Sequence, residues 1–375
     1  MPDNGALTVE NKAAHTTTQH PPISRLRKVA CVGTIAATLP YLALKIAWAV
    51  GSHVGVRGDA MENSTMIGAN IVTVGMDAAA AGLALALVRP RGLRIPAWLL
   101  LFPLWVATGF IAPILVGAPL SGVVAALTGG GAANHKHEHD AAEDIAGWVF
   151  GVVYGGFILQ GIGLGIGFFL YARSRWSAVF RLRLRDLPAG AGFAAQRITI
   201  AGVAAFSLVP SGIHLYWAAG GTGLRPDLDQ TWQERLVLEC VFALLPLVGS
   251  VAMLILAGRR DTRPARATLA AAWLGTGAMF AWGFWWMVCA SLKVPLSEGK
   301  DMRGMGLVGS LGMLAGAVLA TVLAQTVCST LAALTETAQT PAPRTGATPA
   351  RDRSEARTAA SDKGSRGLAV GWTNS

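Results

Sequence analysis

The stretch LVLECVFALLPLVGSVAMLILAG, residues 236–258, decides the fold class of this chain. It is apolar except for one carboxylate, Glu239. As an α-helix it is long enough to cross the roughly 30 Å of hydrocarbon in a bilayer. Hydrophobic residues make up 53% of the chain and charged residues 14%, whereas an ordinary soluble domain is about a quarter charged. The stretch is therefore predicted to span a membrane.

Similar apolar stretches lie on both sides of it. The predicted spans are residues 29–51, 66–88, 95–117, 145–171, 198–219, 236–258, 267–291 and 305–333. The third is the least regular, because Pro103 and Pro113 interrupt it and a further apolar piece, residues 119–127, follows. That piece is either a re-entrant or interfacial segment or the continuation of a kinked helix. We expect an all-α integral membrane protein with about eight transmembrane helices.

The basic residues predict the orientation of these helices. If the amino-terminus is inside, 23 of the 31 Lys and Arg residues fall in inner segments, 7 fall in outer segments and Lys45 lies within a span. Inner loops of membrane proteins carry such an excess. Both ends are therefore predicted to be cytoplasmic. The +10 net charge is a topology signal, and on the inner face it would attract anionic lipid headgroups rather than nucleic acid.

The composition also predicts how the chain is divided. Residues 1–28 and 335–375 are polar and are expected to be disordered cytoplasmic tails. Residues 29–171 and 198–334 hold four spans each, and a basic cytoplasmic loop, residues 172–197, joins them. Within that loop, residues 173–187 alternate arginines with apolar side chains. This pattern fits either a short helix on the inner leaflet or a solvated loop.

The two four-span halves share a pattern. Pro40, Trp48 and Gly51 in the first span are matched by a proline, Trp217 and Gly220 in the fifth, with one residue fewer after the proline. Each half also places arginines at nearly the same distance beyond its tryptophan. The simplest explanation is a duplication that gives two parallel repeats related by an axis along the membrane normal. Chance similarity between apolar helices is the alternative.

The first of these motifs, PYLALKIAWAVG at residues 40–51, resembles the first-helix motif of a group of actinobacterial multi-pass membrane proteins. The resemblance is restricted to about a dozen residues and to the general layout of the spans. It implies a many-helix fold and an inner-membrane location. It carries over no catalytic residue.

A few polar side chains are predicted to lie inside the membrane, where each needs a partner or water. We expect Lys45 and Asp77 to approach each other across the first helix pair, with Asn70 two turns above Asp77 on the same face. His214 occupies the position in the fifth span that Lys45 occupies in the first. Glu239 is expected to pair with Arg235, one turn earlier, or alternatively with His214. The functional hypothesis is a shared outward-facing polar cavity; the alternative is a set of structural ion pairs.

The most distinctive polar segment is NHKHEHDAAED, residues 134–144, in a predicted outer loop. His135, His137 and His139 fall on one side of an extended chain, whereas a helix aligns His135, His139 and Glu143. Imidazole and carboxylate are ligands that Zn, Cu or Ni accept. The segment is therefore a candidate site for a divalent metal; the alternative is a solvated start of the fourth helix.

Three functional classes are compatible with this sequence. The first is a transport-type protein whose two repeats enclose the polar cavity. The second is a non-enzymatic membrane scaffold, or a metal or pH sensor that uses the outer histidine loop. A membrane enzyme is disfavoured, because no nucleophile, base and stabilising group occur at spacings that make a catalytic site. The sequence predicts no resident cofactor apart from that metal, and it names no protein partner.

Overall fold

A computed structural model describes residues 23–56, 64–89, 95–128, 146–190, 192–226, 228, 230–259, 262–292 and 300–339. Its long helices are α1 Arg25–Ala49, α2 Ser64–Val88, α3 Ala97–Leu127, α4 Gly147–Arg175, α5 Phe193–Ala218, α6 Trp232–Gly258, α7 Ala265–Ser291 and α8 Arg303–Gln339. Each predicted apolar stretch coincides with one of these helices. Residues 1–332 form one compact unit, and the described part of the second unit, residues 333–339, is helical.

The helices identify a multi-pass membrane protein. Within the described residues, six of them are long and apolar enough to cross a membrane: α1, α3, α4, α5, α6 and α8. The described part of α2 contributes a shorter apolar stretch, Thr73–Val88. The same residues contain no β-strand, only an isolated bridge between Arg183 and Pro264.

Helix α3 continues well past the predicted third span. Pro103, Pro113 and Pro119 all lie inside the helix Ala97–Leu127. The re-entrant alternative for residues 119–127 is therefore wrong, and the alternative of a continued helix is confirmed. A proline removes one backbone donor without ending a membrane helix, since neighbouring helices and waters satisfy the carbonyl that is freed.

Helix α7 is not among these six helices, and it packs among three of them. A Cβ atom added to Gly277 would lie 3.0 Å from a backbone oxygen of α3, and one added to Gly275 would lie 2.4 Å from the backbone of α6. Gly283 makes an equally close contact with α8. Small residues allow such close backbone approach in membrane bundles. A helix that is covered by other helices does not need a strongly lipophilic surface.

The helices pack in two groups, and α3 joins them. In the first half, α1 packs against α2 and α4; in the second half, α5 packs against α6 and α6 against α7. Helix α3 contacts α4 on one side and both α6 and α7 on the other. Its residues Leu100 and Leu104 belong to the same buried cluster as Leu87 of α2 and Leu164 of α4.

The basic inner loop packs against the second half. It contains a short helix, Ser177–Arg181, and one 3-10 turn, and its Leu184 and Leu187 are buried in the core of α5–α8. The backbone of Leu184 also hydrogen-bonds to the loop before α7. A fully solvated loop is therefore wrong for residues 173–187, because Leu184 and Leu187 pack on protein. The predicted short helix is present at Ser177–Arg181, and its contact with the inner leaflet stays a prediction.

Candidate functional site

The helices α1 and α5 end in the same way. The indole Nε1 of Trp48 donates to the carbonyl oxygen six residues later at 2.8 Å, and that of Trp217 does the same at 2.7 Å. Gly51 and Gly220, each three residues after its tryptophan, have φ angles of 86° and 101°. Glycine is favoured in that left-handed conformation at the end of a helix. The shared sequence motif is thus a shared helix cap.

The helix bounds support a duplication. Trp48 and Trp217 are 169 positions apart. Adding this offset to the last residues of α1 and α2 gives positions 218 and 257, and α5 and α6 end at 218 and 258. The first residue of α3 is shifted in this way to 266, and α7 begins at 265. The fourth helix of each half agrees less well, since the first residue of α4 is shifted to 316 and α8 begins at 303.

Lys45 and Asp77 form an ion pair between α1 and α2. The Lys45 Nζ lies 3.0 Å from Asp77 Oδ2, and both side chains are almost completely buried. The ammonium group also lies 3.7 Å from the centroid of the Tyr41 ring, a cation–π contact. The sequence predicted this approach. Because the two groups are buried in direct contact with each other and closed off from solvent, the pair is suited to a fixed structural role.

Asn70 lies two turns before Asp77 in α2. It is partly buried, and its carbonyl oxygen accepts a hydrogen bond from Thr73 Oγ1 at 3.1 Å. The 169-residue offset places Asn70 at the position of Glu239 in the second half. The acidic partner of the first half is therefore displaced by two helical turns relative to that of the second.

His214 and Glu239 form the corresponding pair between α5 and α6. His214 Nδ1 lies 2.6 Å from Glu239 Oε2, and the exposed fractions of the two side chains are 12% and 4%. The other oxygen of Glu239, Oε1, accepts from Arg225 Nε at 3.1 Å. The preferred prediction, a local pair of Glu239 with Arg235, is wrong. Both carboxylate oxygens are already held by groups from α5 and from the loop after it.

Arg225 is the member of this site that sequence reasoning missed. It lies in the loop between α5 and α6, yet its side chain is only 7% exposed. Its Nη2 donates to Gln230 Oε1 at 2.5 Å, which fixes the guanidinium from the loop side. A basic residue in a loop that is predicted to be outer departs from the predicted charge bias of this chain, and that departure was the available signal.

A small cavity lies beside His214. It has a volume of about 40 Å³ and is enclosed by α3, α5, α6, α7 and α8. His214 contributes to its lining, but Lys45, Asn70, Asp77 and Glu239 do not. The prediction that all five residues share one cavity is therefore wrong. Each acidic side chain is instead packed against a basic partner within its own half.

Two other polar residues of the lining lack protein partners. The buried Ser211 Oγ and Trp286 Nε1 have no hydrogen-bond partner in the described part of the protein. Leaving such a group unsatisfied costs about 1–3 kcal/mol. The remaining wall is apolar and aromatic, with Phe242 and Trp282 beside them. The sequence did not single out Ser211 or Trp286, since serine and tryptophan are common in membrane helices.

The predicted metal ligands His135, His137, His139 and Glu143 lie outside the described residues. Among the residues that are described, no group of three or more His, Cys, Asp or Glu side chains could hold a metal ion. The metal site in the outer loop therefore stays a prediction.

Comparisons with known proteins identify no relative. No protein family matches the sequence, and neither a curated protein nor a solved structure matches the chain. The function therefore has to be argued from the residues themselves.

Proposed function

We propose that this chain crosses the membrane eight times, with both ends in the cytoplasm, as two parallel four-helix repeats. The matching caps at Trp48 and Trp217 support the duplication. The excess of inner Lys and Arg residues supports the orientation. In this topology the ends of α1 and α5 face the outer side, so the Lys45 and His214 pairs both lie in the outer part of the membrane.

Within this architecture we propose a non-enzymatic membrane protein that senses protons on the outer side, with His214 as the sensing group. One observation carries the proposal. At the same position before the same Trp–Gly cap, the first half has a lysine paired with an aspartate and the second half has a histidine paired with a glutamate. Histidine is the side chain whose charge ordinarily changes between pH 5 and 8. The two halves thus differ at this position in the basic group that holds the acid.

The consequence of protonation follows from the contacts. A neutral His214 donates one hydrogen bond to Glu239, while a protonated His214 adds full charge attraction to it. Arg225 holds the other oxygen of the same carboxylate from the loop. Gain or loss of the proton therefore shifts the balance between a contact that joins α5 to α6 and one that holds the outer loop. Such local charge changes bias larger structural states.

The packing of the polar residues favours a sensor over a transport path. Lys45 and Asp77 are closed off from solvent, and the cavity at His214 has a volume of only about 40 Å³. A transport-type protein is the second candidate, supported by the position of that cavity among five helices. Flux of small solutes into vesicles, driven by a pH gradient, would separate the two. Transport requires a flux that His214→Lys abolishes; a sensor gives none.

Tryptophan fluorescence tests the proton-sensing proposal. The imidazole of His214 lies edge-on to Trp217, with ring centroids 5.1 Å apart. A protonated imidazole quenches a neighbouring indole more strongly than a neutral one. The purified wild-type protein should therefore lose fluorescence as the pH falls from 8 to 5, the range in which histidine titrates. His214→Lys fixes the positive charge and should remove this change.

A matched control comes from the only other histidine that is described. His53 lies in the exposed loop after α1, so His53→Gln should leave the pH response intact. An identical response in wild type and His214→Lys would show that His214 does not sense the pH. The reciprocal variant, Lys45→His, should create a second quenching step at Trp48.

A divalent metal at the outer loop is a separate proposal that rests on the sequence NHKHEHDAAED alone. Zinc, copper or nickel should raise the melting temperature of the wild-type protein. At about a hundred times its dissociation constant, a ligand stabilises by roughly 2.7 kcal/mol. The triple variant His135/His137/His139→Ala should lose this shift. An equal shift in both proteins would rule the loop out as the metal site.

We also propose anionic lipid headgroups as the partner of the inner face, where the basic residues are concentrated. Each Lys or Arg close to such a surface contributes about 1 kcal/mol to the attraction. Reconstitution into vesicles with and without phosphatidylserine should therefore change the thermal stability. No change, or an equal change with zwitterionic lipid, would contradict this partner.

A further inference from the structure

The cavity beside His214 combines unpaired polar atoms with enclosed space. Ser211 Oγ and Trp286 Nε1 are buried without a partner among the described residues, and both residues line the cavity. Buried polar groups in folded proteins are satisfied by protein or by ordered water. An indole N–H can only donate and a serine hydroxyl can donate, so the missing partners are hydrogen-bond acceptors.

Three prolines also contribute to the cavity wall: Pro113 of α3, Pro210 of α5 and Pro246 of α6. A proline has no backbone N–H, so the carbonyl four residues earlier loses its helical donor. In membrane helices, ordered water is one of the groups that satisfy such carbonyls.

The volume limits what the occupant can be. A water molecule needs about 10–15 Å³ of such space, so a cavity of about 40 Å³ holds about three of them. The lining contains no carboxylate and no basic side chain except the imidazole of His214. A charged ion would therefore lack a partner of opposite charge, while water both donates and accepts.

We propose that the cavity holds a cluster of about three water molecules, joined to Ser211, Trp286 and His214, through which His214 exchanges its proton with the outer side. The exchange of the proton rests on the sensing function proposed above; the presence of the water does not. The cluster is thus a specific, built site for water inside the second repeat.

The geometry of His214 assigns the proton to one ring atom. Its Nδ1 is already engaged with Glu239 Oε2, so the second proton is added at Nε2. In that step an O–H bond of a protonated water breaks and an Nε2–H bond forms, leaving a neutral water. The charged groups that face the ring are Glu239 from α6, together with Arg225 bound to it. In the cavity lining, α3, α7 and α8 provide none.

Hydroxyl-radical labelling in ¹⁸O water tests for the water cluster directly. Radicals formed from bound water oxidise the side chains beside it. Met279 and Trp286 line the cavity, whereas Met253 and Trp217 are equally buried but do not. We expect ¹⁸O incorporation into Met279 and Trp286 and none above background into the other two. Equal labelling of all four residues, or of none, would overturn the proposed cluster.

Substitutions at two glycines, Gly312 and Gly212, provide a test variant and its control. A Cβ atom added to Gly312 in the cavity wall meets only Met279 O at 3.6 Å, and one added to Gly212 on α5 meets nothing within 4 Å. Gly312→Ala should lower the labelling of Met279 and Trp286 by about a third, since one methyl group takes the space of one of about three waters. Gly212→Ala should not change it. Unchanged labelling in Gly312→Ala would place the water elsewhere.

The role of the water in proton exchange has its own readout. Stopped-flow pH jumps followed by tryptophan fluorescence should be slower in Gly312→Ala than in Gly212→Ala. Normal kinetics together with reduced labelling would overturn the proton route but leave the cluster in place. Loss of the pH response in the wild type would instead contradict the sensing function, and the labelling result would still stand.

Discussion

Trp217 caps α5 in the same way that Trp48 caps α1: each indole N–H reaches the carbonyl oxygen six residues later, past a glycine with positive φ. Trp48 is 9% exposed and Trp217 is 0% exposed, so each indole also fills space inside its own half. This relationship defines the correspondence between the two proposed repeats. It places Lys45 and His214 at equivalent positions, from which the functional proposal follows.

The caps should contribute similar stability. Trp48→Phe and Trp217→Phe each remove the hydrogen bond and part of a buried ring, so each should lower the free energy of unfolding by about 2 kcal/mol. Thermal or SDS-induced unfolding of the purified protein measures this. Trp98→Phe is the control, since Trp98 is 69% exposed. A neutral Trp217→Phe would argue against a structural cap on α5.

The Lys45–Asp77 pair should behave as a structural ion pair. Lys45→Met leaves Asp77 buried without a counter-charge and should destabilise the protein by about 3–5 kcal/mol. The double variant Lys45→Met/Asp77→Leu removes both charges and should recover most of that loss. Unfolding measurements on the three proteins give the coupling directly. If the double variant were as unstable as the single one, the pair would need another role.

Helices α3 and α7 depend on a glycine contact. A Cβ atom added to Gly109 would lie 2.2 Å from the backbone oxygen of Gly277, so Gly109→Ala must push the helices apart. We expect a loss of about 1–3 kcal/mol in unfolding free energy. On the same helix, a Cβ atom added to Gly122 meets nothing within 4 Å. Gly122→Ala should therefore be neutral or stabilising by up to about 1 kcal/mol; equal losses would refute the contact.

Arg27 holds the carboxyl-terminal end of α2. Its Nε donates to the carbonyl oxygen of Leu87 at 2.7 Å, in the last turn, where carbonyls have no helical donor. The guanidinium also lies over the Tyr171 ring, 4.9 Å from its centroid. Lysine cannot reproduce the fork, so Arg27→Lys should cost about 1.5–3 kcal/mol. Arg25→Lys, at an exposed position, should be neutral, and a neutral Arg27→Lys would contradict this role.

The sequence predicted the helices better than their packing. Apolar length alone located the helical stretches, because a segment in lipid must satisfy its backbone internally. It placed the end of the third stretch at residue 117 because prolines usually end helices in water, whereas α3 continues to Leu127. The sequence also favoured Arg235 as the partner of Glu239, because helix periodicity reveals only pairs between residues close in the chain. Arg225 comes from a loop, whose path periodicity does not describe.

The pairing of Lys45 with Asp77 could be predicted because both are isolated charges in neighbouring helices. The unpaired atoms of Ser211 and Trp286 could not be predicted, since they depend on which side chains lie nearby in the folded protein. The shared cavity failed for a related reason. Equivalent positions in two repeats share a local environment, but nothing in the sequence requires the two environments to meet.

The most direct test of the central claim, that His214 exchanges a proton while it is paired with Glu239, is ¹⁵N solid-state NMR of the histidine-labelled protein in lipid bilayers. His214→Gln identifies the His214 ring signals by their disappearance. The account predicts that the His214 Nε2 resonance changes from the neutral to the imidazolium position as the pH falls from 8 to 5. It also predicts that Glu239→Gln changes the His214 Nδ1 resonance, because Nδ1 lies 2.6 Å from Glu239 Oε2. A His214 signal that stays in one protonation state over this range, or an Nδ1 resonance that Glu239→Gln leaves unchanged, would contradict the account.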